Sequence, residues 1–263
     1  MNDDIAVSMP PRPASRARSD GRSAAEIATA AGELLLARRA ELQRAGADPA
    51  DVRREGDRVG HDFLVAALAR RHPSDAVLSE EGADDLRRLT ADRVWIVDPL
   101  DGTREFGEPG RTDWAVHVAL VEHGELVAGA VAMPALGVTY STSGAPTPPA
   151  PSGGAPKVVV SRTRRPEPVM AMAAALGAEL VEMGSAGAKA MAVVRGDVDV
   201  YAHAGGQYEW DSAAPVAVAR AAGLHVSRID GSDPIYNQAN PWLPDLLICR
   251  PELARDVLEE LGR

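Results

Sequence analysis

The stretch Val94-Trp95-Ile96-Val97-Asp98-Pro99-Leu100-Asp101-Gly102-Thr103 changes character halfway along, and that change decides how the chain is read. Four apolar residues, three of them β-branched, form a short continuous run that suits a strand buried on both faces. The run ends in two aspartates three positions apart with a proline between them. Pro99 fixes its own φ and biases Asp98 away from the helical region, so the chain turns there. Such a turn can aim the Asp98 and Asp101 carboxylates and the Leu100 carbonyl at one point. An oxygen-only donor set of this kind suits a hard cation such as Mg²⁺. Gly102 and Thr103 then begin a helix or helical turn. A glycine there permits close backbone approach, and the free N–H groups of a helix start favour a phosphate.

Working outward, Ala76-Val77-Leu78 is another short strand, and it too ends in acid, at Ser79-Glu80-Glu81. Downstream, Asp211 opens a helix that runs to Ala222 and stops at Gly223. Asp211 can cap that helix and still bind a ligand, because a carboxylate has two oxygens. Taken singly, an aspartate after a strand is a turn former and a threonine before a helix is a cap. Acid at the ends of two buried strands, followed by Gly-Thr, favours metal-assisted phosphoryl chemistry instead. Several carboxylates in one cleft repel each other and a phosphate alike, a conflict that bound cations resolve.

The rest of the chain sets this centre in a layered α/β protein. Residues 1–21, rich in Pro, Arg, Ser and Asp, read as a disordered leader. Ser23-Ala24-Ala25-Glu26 reads as a capping box opening a helix to about Leu42. A polar stretch from Asp48 to Asp57 precedes a second helix, His61 to Arg71, which Pro73 stops. Residues 22–145 form an N-terminal half whose later part, from Trp114 to Tyr140, alternates as an antiparallel meander. Residues 146–156 are a Pro/Gly/Ser loop. Residues 157–263 alternate strand and helix, including a helix from Ala186 to Arg195 closed by Gly196.

The 263 residues are 45% hydrophobic but only 4% aromatic, so the core is built mainly from Ala, Val and Leu. Acidic residues outnumber basic ones, 38 to 28, for a formal net charge of -10. That excludes a protein that coats nucleic acid polymers, which needs a basic face. The single cysteine allows no internal disulfide and fits a reducing cytoplasm; no apolar run is long enough to span a membrane.

The segment from Trp95 to Thr103, with Ser79-Glu80-Glu81 before it and Glu209-Trp210-Asp211-Ser212-Ala213-Ala214 after it, resembles the inositol monophosphatase-like superfamily. Arg104-Glu105-Phe106 and Gly184-Ser185-Ala186-Gly187-Ala188-Lys189 look most like its CysQ-type 3′(2′),5′-bisphosphate nucleotidase branch, as found in actinobacteria. The resemblance runs from about Ser23 to the C-terminus. It implies a five-layer αβαβα sandwich, two or three Mg²⁺ per site, inhibition by Li⁺ and a homodimer. It implies that Glu80, Asp98, the Leu100 carbonyl, Asp101 and Asp211 bind metal, with Asp101 bridging. Gly102 and Thr103 would hold the scissile phosphate, and Thr103 with Glu80 or Asp57 would activate water. Asp57 is preferred over Asp62 because Gly56-Asp57 precedes the expected helix. Arg104, Ser185, Lys189 and Asp211 would contact a small phosphorylated nucleotide, with Lys189 the cation for its second phosphate and Arg111 a further candidate. His203 and Tyr208 are candidates for the base pocket, though a structural role suits each better. The implied reaction is hydrolysis of 3′-phosphoadenosine 5′-phosphate, and possible action on the sulfated nucleotide is left open. The alternatives are an inositol-1-phosphate or fructose-1,6-bisphosphate phosphatase, or a regulatory nucleotide binder without catalysis.

Overall fold

Alternation along the strands explains the layering. In the computed structural model, which describes residues 14–151 and 153–262, β1 (Ala76–Ser79) lies parallel to β2 (Arg93–Asp101). β3 (Ala115–Glu122), β4 (Glu125–Met133) and β5 (Val138–Ser141) continue the same sheet as an antiparallel meander, in the order β1-β2-β3-β4-β5. Trp95 and Val97 of β2, with Val116, Val118 and Leu120 of β3, enter one core cluster. Their neighbours Val94, Ile96, Ala115, Ala119 and Val121 enter another on the opposite face. A period of two thus divides each strand between two cores.

The first core is closed by α1 (Ala14–Arg44) and α2 (Pro49–Arg71). The second is central and is filled by α5 (Ala186–Arg195) and α6 (Glu209–Ala221). Beyond them lies a second sheet of β6 (Lys157–Ser161), β7 (Glu179–Met183), β8 (Val200–Tyr208), β9 (His225–Ser227) and β10 (Trp242–Cys249), in the order β7-β6-β8-β10-β9. Here Val159, Tyr201, Leu246 and Ile248 face the central core, while Val158, Val160, Val200, Ala202, Leu247 and Cys249 face a third. That outer core is covered by α4 (Glu167–Ala175) and α7 (Ala254–Leu261). The order helix, sheet, helix, sheet, helix is the expected five-layer sandwich.

Two helix starts differ from the sequence reading. α1 begins at Ala14, so residues 14–21, read as leader, are its first turns; residues 1–13 lie outside the described set. Ser23 is inside that helix, and its hydroxyl meets His72 Nε2 at 2.7 Å rather than capping. α2 begins at Pro49, with Asp48 Oδ1 accepting from Ala50 N at 2.7 Å as its N-cap. A proline at N1 needs no hydrogen-bond partner, which makes this a favourable start. Asp57 therefore lies within the helix, not ahead of it.

One buried cation ties α1 to the segment that follows β2. Arg39 of α1 donates to the carbonyls of Phe106 at 2.7 Å, Glu105 at 3.2 Å, Glu108 at 2.6 Å and Arg111 at 2.9 Å. These carbonyls lie at and beyond the end of α3 (Thr103–Gly107); those of Glu105 and Glu108 also accept from the Glu108 and Arg111 N–H groups, and Arg39 adds a second bond to each. The guanidinium also lies over the Phe106 and Trp114 rings, at 5.5 and 5.7 Å from their centroids. Removing this charged donor takes one hydrogen bond from each of the four carbonyls at once. Arg39→Met should therefore lower stability by about 3 kcal/mol, read as a lower urea midpoint with an unchanged slope.

Candidate functional site

The turn after Val97 is a bulge in the β2–β3 ladder. Asp98 is opposite His117, yet Asp101 is opposite Ala115, so β2 carries one extra residue there. A bulge re-aims the side chains around it. Asp98 Oδ1 accepts from the Leu100 N–H at 3.0 Å, which tightens the turn. Gly102 follows at φ 86°, and a side-chain carbon there would lie 3.0 Å from Ser185 Cβ and 3.1 Å from the Asp113 carbonyl. Only glycine serves at this position. Thr103 Oγ1 lies 3.2 Å from Asp57 Oδ1 and 3.0 Å from the Leu100 carbonyl, and its one proton serves either acceptor.

Asp101 is gripped from across the central layer by the start of α5. Its Oδ2 accepts from Ser185 Oγ at 2.5 Å and from Gly187 N at 2.6 Å, and its Oδ1 accepts from Ala186 N at 3.1 Å. Ser185 Oγ also accepts from Ala188 N at 2.9 Å, so the serine does cap the helix. Unpaired N–H groups at a helix start are suited to an anion. The His117 imidazole lies beneath, with Nδ1 donating to the Trp210 carbonyl at 3.0 Å and Nε2 3.2 Å from Asp101 Oδ2. That second contact is off the hydrogen-bond line and acts as a charge contact. A side-chain carbon at Gly187 would fall 2.1 Å from His117 Nε2, so the glycine makes room for the ring. Burial alone would raise the Asp101 pKa, but His117, the Ser185 bond and the Lys189 charge hold it at about 2.

The other carboxylates have no such support. Asp98 is buried, and desolvation followed by the charges of Glu80, Asp101 and Asp211 raises its pKa well above the ordinary range. Burial lifts Glu80 to about 7 and, with Asp101's charge, Asp211 to about 6. Ligand oxygens of Asp98, Asp101 and Asp211 all lie within 4.8 Å of one another, a cluster able to hold a metal ion. All the donors are oxygens, and the mutual repulsion that raises these pKa values is what a hard divalent cation relieves. The residues fit such a cation.

The remaining candidates divide. Asp57 is half-buried and its pKa rises to about 6, first through burial and then through Glu81; the Thr103 bond opposes the shift. Asp62 instead pairs with Arg58 at 2.8 Å on the exposed face of α2, leaving Asp57 as the residue in reach. Asp211 is in the first turn of α6, not its cap, and Oδ2 accepts from Tyr208 N at 2.7 Å. Arg104, Ser185, Lys189 and Asp211 all line one cleft of about 460 Å³, beside Glu80 and Asp101. Lys189 commits two of its three ammonium donors within the protein. It is buried and donates to the carbonyls of Ser185 at 2.7 Å and Gly184 at 3.1 Å, bracing the loop that grips Asp101. Arg111 pairs with Asp113 and lines a separate pocket.

His203 and Tyr208 do line the cleft, with Arg162, Arg164, Gln207 and Trp242, which the sequence reading passed over. Their signal is partly present: Arg162-Thr163-Arg164 follows β6 just as Gly102-Thr103 follows β2. Arg162 Nη1 is held at 2.8 Å by Glu105 Oε1, a buried carboxylate of α3.

If the raised carboxylates form a cation site, Mg²⁺ will stabilise the fold. At about 100 times its Kd the gain is about 2.7 kcal/mol. The melting temperature should then rise several degrees with Mg²⁺ and fall back with EDTA, and Asp98→Asn should remove most of the rise.

A family model described as the inositol monophosphatase family matches residues 19–260. A 3′-phosphoadenosine 5′-phosphate phosphatase of Mycobacterium leprae is 51% identical over 253 residues, covering 91% of this chain and 92% of the relative. The 3′(2′),5′-bisphosphate nucleotidase CysQ of Escherichia coli K12 is 30% identical over 198 residues, covering 71% and 80%. Among solved structures, CysQ from Bacteroides thetaiotaomicron, a bacterial member of the inositol monophosphatase family, superposes with a TM-score of 0.73 at 29% identity, covering 89% of this chain and 97% of that one.

Proposed function

The chain belongs to the inositol monophosphatase family, and from that premise we propose that it is a Mg²⁺-dependent phosphatase that hydrolyses 3′-phosphoadenosine 5′-phosphate to AMP and phosphate. The observation that carries the chemistry is the convergence of Asp98, Asp101 and Asp211 beside a cleft that also holds Arg104, Arg162 and Arg164. The choice of nucleotide is supported by the relative that is 51% identical across 91% of the chain.

Glu80, Asp98, the Leu100 carbonyl, Asp101 and Asp211 would hold the cations. When bound, these polarise the phosphoryl oxygens, acidify a water molecule and offset charge on the leaving oxygen. The protein supplies position and proton transfer. Gly102 and Thr103 would present main-chain N–H groups to the phosphoryl group, at a turn where the glycine leaves room for Ser185. Thr103 donates its proton to Asp57, so its oxygen is free to accept one from the attacking water. Asp57, raised to about 6, is matched to take up that proton near neutrality. The water attacks phosphorus opposite the ribose 3′-oxygen, and the bond to that oxygen breaks. The arginines of the cleft stand where the second phosphate falls. Lys189 acts indirectly, through the loop it braces. The same reading extends to a homodimer, as the resemblance implies, and to the cytoplasm, which the single cysteine fits.

Two variants test the centre. Asp101→Asn should lower kcat/KM on the nucleotide by at least about 1,000-fold while the circular-dichroism spectrum stays native; near wild-type turnover would sink the reading. Thr103→Val should cost about 100-fold, mostly in kcat. A panel with inositol 1-phosphate and fructose 1,6-bisphosphate, run with Mg²⁺, EDTA and Li⁺, separates the nucleotidase from its sugar-phosphate relatives.

A further inference from the structure

Gln207 is an anomaly in the wall of the cleft. It is buried, 7% exposed, and neither its Nε2 nor its Oε1 has a hydrogen-bond partner in the protein. Buried amides are almost always paired, because leaving one unpaired opposes folding. Gln207 nonetheless lines the same cavity as Asp101, Asp211 and the arginines.

The strands fix where it points. Gln207 of β8 is directly opposite Leu243 of β10, and residues so paired share a face of the sheet. Leu243 faces the central core, so Gln207 is turned towards the layer that carries the carboxylates, not outward. It stands four residues before Asp211 and follows Gly205 and Gly206, both at positive φ, 100° and 91°. A side-chain carbon on Gly206 would fall 2.6 Å from Trp242 Nε1, so the indole rests on bare backbone beside Gln207. Trp242 lines the cavity too, as does Tyr208, which stacks on Trp210 at 4.7 Å.

From this we propose that Gln207 is a specificity-determining residue that pairs with the edge of the substrate's purine base, its amide donating to one base atom and accepting from its neighbour. An adenine edge offers that acceptor and donor pair, and a glutamine amide matches it in two bonds. The neighbouring Trp242 supplies an apolar face for the ring. A 3′-phosphate held at Asp98, Asp101 and Asp211 leaves only a ribose between phosphorus and base, which brings the base to the residues next to Asp211. The inference deepens the nucleotide reading and rests on it for the identity of the ring.

The test measures binding as well as turnover. Dissociation constants for AMP and for ribose 5-phosphate, which lacks the base, are determined by NMR titration for wild type, Gln207→Leu and Gln207→Glu, with melting temperatures as the fold check. Gln207→Leu should weaken AMP about 10- to 100-fold, and its preference for AMP over ribose 5-phosphate should collapse. The KM for 3′-phosphoadenosine 5′-phosphate should rise by a similar factor with kcat little altered. Gln207→Glu, which keeps the volume and the acceptor but loses the donor, should fall between. Equal losses for AMP and ribose 5-phosphate would mean that Gln207 only shapes the strand, and unchanged AMP binding would mean that the amide serves water alone; either result overturns the proposal. AMP binding that depends on Gln207 in a protein that does not hydrolyse the bisphosphate would sustain it while sinking the proposed reaction.

Discussion

The active geometry depends on one carboxylate captured by one helix start. Asp101 ends a strand of the first sheet, and the N–H groups and hydroxyl that hold it open a helix from the second half of the chain. Because that grip stabilises the anion, Asp101 keeps its charge where its neighbours Asp98, Glu80 and Asp211 are driven towards protonation. The arrangement is asymmetric in a useful way. One anion is fixed by the protein in advance, and the others have affinity to spare for whatever positive charge arrives. His117, Gly187 and Lys189 belong to the same device, since each acts on the position of Asp101 or of the loop around it.

A second constraint holds the opposite side. The short helix that follows Gly102 ends in carbonyls that α1 satisfies through Arg39, and its buried Glu105 reaches across to Arg162. A side-chain carbon on Gly184 would fall 2.1 Å from the Glu105 carboxyl carbon, so the loop before α5 and the turn of α3 are in close contact. The α3 turn, the loop before α5 and the cleft rim at Arg162 are therefore one mechanical unit, although they come from three separate parts of the chain.

Much of this was legible in the sequence because it is local. The buried strand ending in Asp-Pro-Leu-Asp-Gly-Thr, the meander after Trp114 and the Ser185-to-Gly196 helix carry their own turn and cap chemistry, and the layers follow from period-two alternation. What escaped depends on distant partners. Ser23-Ala24-Ala25-Glu26 has the pattern of a helix start, but the hydroxyl's partner is His72, 49 residues away, and the helix runs straight through. The polar stretch after Asp48 looked like a loop because its charges face water along a helix that Pro49 begins. Local pattern sets Asp57 ahead of a helix, whereas it lies within one and from there reaches Thr103. Lys189 shows the limit most clearly. A lone lysine in an alanine-rich helix suggests a cation for a ligand, and only the fold reveals that two of its three donors also brace the loop before α5. Gln207 had no signal at all, since an unpaired amide is a property of its surroundings.

The division of labour between the two sheets has an evolutionary consequence. Apart from Asp211 at the start of α6, the acidic centre is carried by β1, β2 and the turns that follow them, whereas the aromatic and basic rim comes largely from the ends of β6, β8 and β10. The two are not independent, because the Glu105–Arg162 ion pair and the Ser185 hydroxyl on Asp101 tie rim to centre through side chains, so Arg162 carries a structural duty as well as a place in the cleft. Trp242, seated on the bare backbone of Gly206, is placed differently, so the cleft is freer to change at that end than at Arg162.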